Sequence, residues 1–158
     1  VFFMQMTYRM NEEDAILLQY YLNHHHFDKI GDALSYIIED VSRLCEEEHM
    51  NWLNIKDSPI LEIEDIQLTI NNLGTQTFYV DDQVMMKVLN SAKDAFHLSK
   101  VNISFVIKLC IKEAVLNLNN KNRENDTEIL IRKLSELLLL KDEKSLNKIK
   151  NILESEEV

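Results

Sequence analysis

Glycine and proline are scarce in this chain of 158 residues, which contains two glycines and one proline. Because these residues interrupt helices most strongly, their scarcity predicts a mainly helical fold with short connections. No apolar run approaches the roughly 20 residues that span a bilayer, and no signal-peptide pattern opens the sequence, so we expect no membrane partner. The two cysteines, Cys45 and Cys110, form no metal or redox motif. They are typical of free thiols in a reducing compartment, which predicts a cytoplasmic protein.

Basic residues are scarce in the first half of the chain. The net charge is −10, and residues 1–86 carry four Lys/Arg against sixteen Asp/Glu, whereas residues 87–158 carry thirteen against eleven. Net charge governs steering and nonspecific affinity. The acidic first half therefore weakens a general attraction to nucleic acid without excluding sequence-specific contacts.

Two similar stretches lie about seventy residues apart, "QMTYRMNEED" from Gln5 and "TQTFYVDDQV" from Thr75. In each stretch one set of side chains alternates with another, and a period of two predicts a strand with one buried and one exposed face. The first strand alternates Met4, Met6, Tyr8 and Met10 with Gln5, Thr7 and Arg9, and the second alternates Gln76, Phe78 and Val80 with Thr75, Thr77 and Tyr79.

A helix start follows each predicted strand. Asn11 with Asp14 matches a capping box, and Asp81–Asp82 can cap the second helix. Apolar periodicity predicts helices over about 12–25 and 82–97, and a second helix after each, from Lys29 and from Lys100. The last of these helices has a predicted apolar stripe of Val101, Phe105, Leu109 and Val115. The order strand, helix, turn, helix therefore occurs twice, with internal spacings that differ by one residue, which indicates duplicated units.

Each unit resembles the ribbon-helix-helix family of DNA-binding regulators, in which two copies pair into one module. The resemblance covers about residues 3–44 and 74–118, and tandem forms in one chain are similar to regulators of some archaeal viruses and conjugative plasmids. If the source is viral, the expected location is the host-cell cytoplasm. The implied fold is mainly α, with two tandem units sharing one two-stranded antiparallel β-ribbon, plus a linker helix and C-terminal helices. The corresponding segments are 1–45, 46–73, 74–119 and 120–158.

The resemblance also implies which residues contact DNA. A two-stranded ribbon fits the major groove, where each base pair presents a distinct pattern of donors and acceptors. The family reads bases with the outward ribbon residues, and it grips phosphate with the start of the second helix of each unit. The matching base-contact positions are Gln5, Thr7, Arg9, Thr75, Thr77 and Tyr79. The matching phosphate-contact positions are Lys29, Ile30, Gly31, Lys100, Val101 and Asn102.

These observations predict a sequence-specific, double-stranded DNA-binding transcriptional regulator without a cofactor. The alternatives are an accessory DNA-binding protein of conjugation or partition, and a protein-interaction module with a degenerate ribbon. Neither a phosphate-binding glycine loop nor a nucleophile paired with a base is evident, so we do not expect an enzyme. His24, His25 and His26 point about 100° apart on a helix and cannot chelate one ion, so no metal site is predicted.

Two segments lie outside the repeats. In the linker, Ser58-Pro59 is a good helix start and Gly74 a good stop, which favours a linking helix, although the alternation from Ile60 to Ile70 also permits a strand. After a polar break, "NNKNREND", the tail is rich in leucine and isoleucine. Those residues predict either packing against the chain's own core or a protein contact through which the chain self-associates.

Overall fold

The fold is mainly α-helical with a two-stranded antiparallel sheet, as the sequence predicts. The computed structural model describes residues 2–59, 63, 66–69, 74–139, 147 and 150–154. It divides into two compact units, residues 1–118 and residues 119–158. In chain order the elements are β1 (Phe3–Met10), α1 (Glu12–His24), α2 (Ile30–Glu46), α3 (Trp52–Asp57), β2 (Gly74–Asp81), α4 (Asp82–Phe96) and α5 (Ile103–Leu139).

The sheet joins the two predicted strands to each other. β1 pairs with β2 in an antiparallel register that sets Thr7 opposite Thr77 at its centre, Phe3 opposite Asp81 at one end and Met10 opposite Gly74 at the other. The backbone N–H of Asp82 also donates to the carbonyl of Phe2 at 2.9 Å, which extends the pairing beyond the strand ends. A lone strand would leave its backbone N–H and C=O groups without partners. The pairing of β1 with β2 satisfies the groups along the edge that the two strands share.

The caps that the sequence predicts for the helices after the strands are confirmed. The Asn11 side chain accepts a hydrogen bond from the Asp14 backbone N–H, and the Asp14 carboxylate accepts one from the Asn11 N–H, which completes the capping box. The Asp81 carboxylate accepts a hydrogen bond from the backbone N–H of Gln83 at the start of α4. Such caps satisfy amide groups that a helix start otherwise leaves without a partner.

The core of the first unit lies under the inner face of the sheet. Met6, Tyr8, Met10, Phe78 and Val80 are all at least 94% buried there. The helices cover this face with apolar stripes at helical spacing. The buried stripes consist of Ala15, Leu18 and Tyr21 from α1, Leu34, Ile37, Ile38 and Val41 from α2, Met85, Val88 and Ala92 from α4, and Val106, Ile107, Cys110, Ile111 and Val115 from α5.

Three expectations about the elements need correction. The stripe predicted for the last helix is only partly right, because Leu109 and Val115 are buried but Phe105 is exposed. The polar segment expected to break the chain near residue 120 is helical, since α5 runs on to Leu139. Ser58 follows the end of α3 instead of starting a helix, and its hydroxyl donates to the carbonyl of Asn54.

The rest of the linker prediction is tested only in part. Residues 63 and 66–69 are neither helix nor strand, so a continuous linking helix is wrong there. Residues 60–62, 64–65 and 70–73 lie outside the described residues. One point of this segment is attached to α1, because the backbone N–H and the hydroxyl of Thr69 both donate to Oε1 of the buried Gln19 at 3.0 Å.

Candidate nucleic-acid interface

The outer face of the ribbon carries all six residues for which the family resemblance predicts base contacts. The register sets Gln5 opposite Tyr79, Thr7 opposite Thr77, and Arg9 opposite Thr75. Each of the six is exposed. They come from segments seventy residues apart, and the antiparallel pairing brings them together as one continuous polar surface.

Phe3 belongs to the same face, although the alternation quoted for β1 begins after it. It has the same parity as Gln5 in β1, it is 66% exposed, and it lies opposite Asp81. The carboxylate of Asp81 is engaged in capping α4. The position of Phe3, two residues before Gln5, is the signal that predicts an outward side chain, but an aromatic residue usually indicates the buried face of a strand.

The buried side of the sheet fixes which side chains point outward. Slipping the register by one residue would move the whole apolar set to the other face and the polar set into the core. The inner face contains fully enclosed residues such as Phe78, which is 1% exposed, and Val80, also 1% exposed. The outer face is therefore specified by the core rather than by the outer residues themselves.

Arg9 is the one cationic residue among the outward side chains of β1 and β2. Two of the three carboxylates that follow β1 in the chain are turned elsewhere. Asp14 is 1% exposed, and Glu13 lies 3.8 Å from the Nζ of Lys108 on α5. Within the part of the chain that the structure describes, the Arg9 guanidinium makes no ion pair, so its donors are available to an external acceptor.

The start of α2 lies against the outer edge of β2. A Cβ atom at Gly31 would lie 2.8 Å from the carbonyl oxygen of Thr77, so only glycine allows this approach without a shift of the backbone. One turn later the Ser35 hydroxyl donates to the carbonyl of Tyr79 at 2.6 Å. These contacts connect a predicted phosphate-contact position, Gly31, to two predicted base-contact residues. Ser35 could not be identified from sequence, because one serine in a helix has no distinguishing pattern.

A groove of about 950 Å³ runs along this contact and is lined in part by Lys29, Asp32, Thr77 and Tyr79. Lys29 is exposed and is the N-cap residue of α2, which has no side-chain cap. The first backbone N–H groups of a helix without a cap are free to bind an anion. Two carboxylates, Asp28 and Asp32, also line this groove, and their negative charges disfavour the binding of an anion there.

The start of α5 is built differently. Lys100 is exposed and Val101 is half-buried. The side chain of Asn102 accepts hydrogen bonds from the backbone N–H groups of Ser104 at 2.9 Å and Phe105 at 3.4 Å. Two of the first amide groups of α5 are therefore occupied within the chain. No carboxylate lies between residues 95 and 112, so Lys100 has no acidic neighbour in sequence.

No metal site is found among the described residues, where no three His, Cys, Asp or Glu side chains are grouped to hold an ion. The ring of His25 stacks on Tyr21 with 4.4 Å between centroids, and the Nδ1 of His24 lies 2.8 Å from the Tyr20 carbonyl oxygen.

None of the helices in the described part of the chain has the length and apolar character needed to cross a bilayer. Comparison with protein-family models, curated proteins and solved structures gave no match.

Proposed function

We propose that this chain is a sequence-specific, double-stranded DNA-binding transcriptional regulator that inserts its β-ribbon into the major groove. The observation that carries the proposal is the register of β1 and β2, which sets Gln5, Thr7 and Arg9 beside Tyr79, Thr77 and Thr75 on one exposed face. These side chains have base-reading chemistry, since Arg pairs with guanine, Gln with adenine, and Thr with several base edges. A duplicated ribbon-helix-helix unit, fused in one chain, accounts for the order of elements around this ribbon.

The dimensions of the ribbon support the same function. Two strands lie about 4.8 Å apart, which leaves room for both within a major groove about 12 Å wide. The outward positions from Gln5 to Arg9 span four residue steps, or about 14 Å of strand. This length covers roughly four base pairs at about 3.4 Å each. One chain therefore reads a short subsite.

The helix starts beside the ribbon supply the phosphate contacts in this proposal. Lys29, Ile30 and Gly31 open α2, which packs against β2. Lys100, Val101 and Asn102 precede the first residues of α5. Phosphate contacts position a protein on DNA without reading its sequence, so these residues set the depth and orientation of the ribbon.

The test is a gel shift of the full chain with duplex DNA from upstream of its own gene, in stated salt and with excess nonspecific duplex. We expect retention of the upstream duplex over the competitor, with affinity that falls as salt rises. Arg9→Ala should weaken specific binding by about 1–3 kcal/mol, which is the value of a bidentate guanine contact. The matched control is Arg43→Ala, because Arg43 is an exposed arginine on α2, away from the ribbon residues, that forms an ion pair with Asp40 on its own helix.

The proposal is wrong if a folded chain shows no preference for any duplex, or if Arg9→Ala and Arg43→Ala bind the upstream duplex equally well. The first result would instead favour the protein-interaction alternative. In that case Phe2, which is 80% exposed, and Phe3 would be the side chains to test for a protein contact.

A further inference from the structure

The two ends of the ribbon differ in chemistry. At one end Arg9 lies opposite Thr75, and at the other end Gln5 lies opposite Tyr79, with Phe3 beyond them. Tyr79 is 59% exposed and Phe3 is 66% exposed, so both rings face solvent on the reading surface. Thr7 and Thr77 occupy the centre. From the Arg9 end to the Phe3 end, the surface therefore changes from a cation to an amide and two aromatic rings.

This difference removes the two-fold symmetry that a duplicated ribbon could have. Under the rotation that exchanges β1 with β2, Thr7 corresponds to Thr77, but Gln5 corresponds to Thr75 and Arg9 to Tyr79. Only the central pair is the same in both strands. A symmetric pair of strands reads a palindrome, because each strand presents identical side chains to the two halves of the site.

The surroundings of the ribbon differ between the strands as well. The outer edge of β2 is held by α2 through Gly31 and Ser35. In the second strand-helix-helix repeat, Asn102 occupies the position that corresponds to Gly31, and Val106 occupies the position that corresponds to Ser35. Asn102 caps α5, and Val106 is buried in the core without a hydroxyl to donate. The supports of the two reading strands are therefore also unequal.

We infer that each chain recognises a non-palindromic DNA subsite and binds it in one orientation. The inference rests on the proposed function and names the class of DNA that the ribbon reads. The Arg9 end contacts a G·C pair, because a guanidinium donates to both the O6 and N7 of guanine. The opposite end contacts A·T pairs, because Gln5 can bond adenine while the rings of Tyr79 and Phe3 contact a thymine methyl group.

The experiment is a selection of bound duplexes from a random-sequence pool by the full chain, followed by sequencing. We expect a subsite of roughly four base pairs that lacks two-fold symmetry, with G·C at one end and A·T at the other. Operators with two inverted or direct copies of that subsite also fit. Arg9→Ala should lower the preference for G at its own end by roughly 5- to 150-fold while the A·T end is unchanged. Tyr79→Ala should relax the A·T end alone.

A double variant tests symmetry directly. Thr75→Gln/Tyr79→Arg gives β2 the same three outward residues as β1, and both substituted positions are exposed, so the core is unaltered. We expect this variant to select a palindromic subsite with G·C at both ends, and its thermal midpoint verifies that it is folded. A palindromic subsite selected by the natural chain, or an unchanged motif from the folded double variant, would overturn the inference and leave the proposed function standing. Failure to select any motif would overturn the proposed function itself.

Discussion

A buried hydrogen bond joins the first strand to the helix that follows it. The hydroxyl of Tyr8, which is 3% exposed, donates to Oδ2 of Asp14 at 2.8 Å, and Asp14 is 1% exposed. The same oxygen accepts from the backbone N–H of Asn11, whereas the other carboxylate oxygen of Asp14 has no hydrogen-bond partner in the described part of the chain. Because a buried carboxylate is costly without donors, the Tyr8 hydroxyl matters more here than an average hydrogen bond.

Tyr8→Phe should therefore lower the free energy of unfolding by about 1–3 kcal/mol, measured by urea denaturation at pH 7.

Burial, with the hydrogen bond to Asp14, raises the pKa of Tyr8 far above its ordinary value. Above about pH 10 the unfolded chain releases this proton while the folded chain keeps it, so stability falls as pH rises. Tyr8→Phe should show a smaller alkaline loss than the natural chain. Tyr20→Phe, at a half-buried tyrosine of α1, is the control, and equal effects of the two substitutions would contradict the prediction.

Most of the ribbon face could be predicted from single residues, and the exceptions have physical reasons. Strict alternation in β1 identifies Gln5, Thr7 and Arg9, because a half-buried strand separates its two faces every second residue. Phe3 lies on the same face as these residues, but an aromatic side chain is typical of a core, so sequence alone predicts that it is buried. Ser35 could not be predicted, since its partner is a backbone carbonyl 44 residues away that only the folded chain brings near.

At the scale of the elements, α2 is held against β2 by close backbone approach. Gly31→Ala should lower the free energy of unfolding by about 1–3 kcal/mol, because the added Cβ would lie 2.8 Å from the rigid carbonyl of Thr77 and the start of α2 must move away. The gain in helix propensity, about 1 kcal/mol at most, offsets only part of this cost. Chemical denaturation measures the change. Asp32→Ala, an exposed change in the same turn, is the control, and a Gly31→Ala protein at least as stable as the control would show that the contact is unimportant.

The helix starts lead to a separate prediction about salt. Lys29→Ala and Lys100→Ala should each weaken binding to all sequences alike and reduce the slope of log affinity against log salt by about one, as expected for the loss of one phosphate contact. Anisotropy titrations at several salt concentrations measure this slope. Lys56→Ala, which changes an exposed lysine of α3, should leave the slope unaltered. A change in base preference for either variant would mean that these lysines read bases instead of gripping phosphate.

The helices after the strands could be predicted to within a residue or two because caps and apolar periodicity agree there. α1 ends at His24 and α4 at Phe96, each one residue before its expected end. The linker and α5 could not be predicted as well. A polar run near residue 120 contains neither glycine nor proline, so nothing in it stops a helix, and polarity alone was a poor sign of a break. Ser58-Pro59 suits a helix start, but the cap at Asn51 begins α3 earlier.

At the scale of the whole molecule, the proposed reading surface is small and the protein is acidic. One ribbon covers roughly four base pairs, too few to define a site among genomic competitors. The net charge of −10 lowers nonspecific attraction to DNA. Under the proposed function, we therefore expect two or more copies on adjacent subsites, joined by protein contacts or through the DNA.

The second compact unit is the candidate for the protein contact. It begins at Asn119, and its helical part carries exposed apolar side chains at Ile129, Ile131 and Leu138. Ile131 and Leu138 are seven residues apart, so they lie on one face of the helix, as in a helix that pairs with another helix. Ile131 is 57% exposed and Leu138 is 52% exposed among the described residues. A second copy of the chain could bury them.

Deleting the tail from Asn125 onward should leave a folded first unit that binds DNA more weakly and less cooperatively than the full chain. Ile131→Ser/Leu138→Ser should have the same effect without shortening the protein, because it removes only the apolar contact. The matched control, Lys133→Ser, changes an exposed residue on the opposite side of the same helix turn and should have no effect. Light scattering gives the oligomeric state, and footprint length against protein concentration gives the cooperativity. A strictly monomeric chain whose footprint stays at one short subsite, with or without the tail, would contradict the role assigned to these side chains.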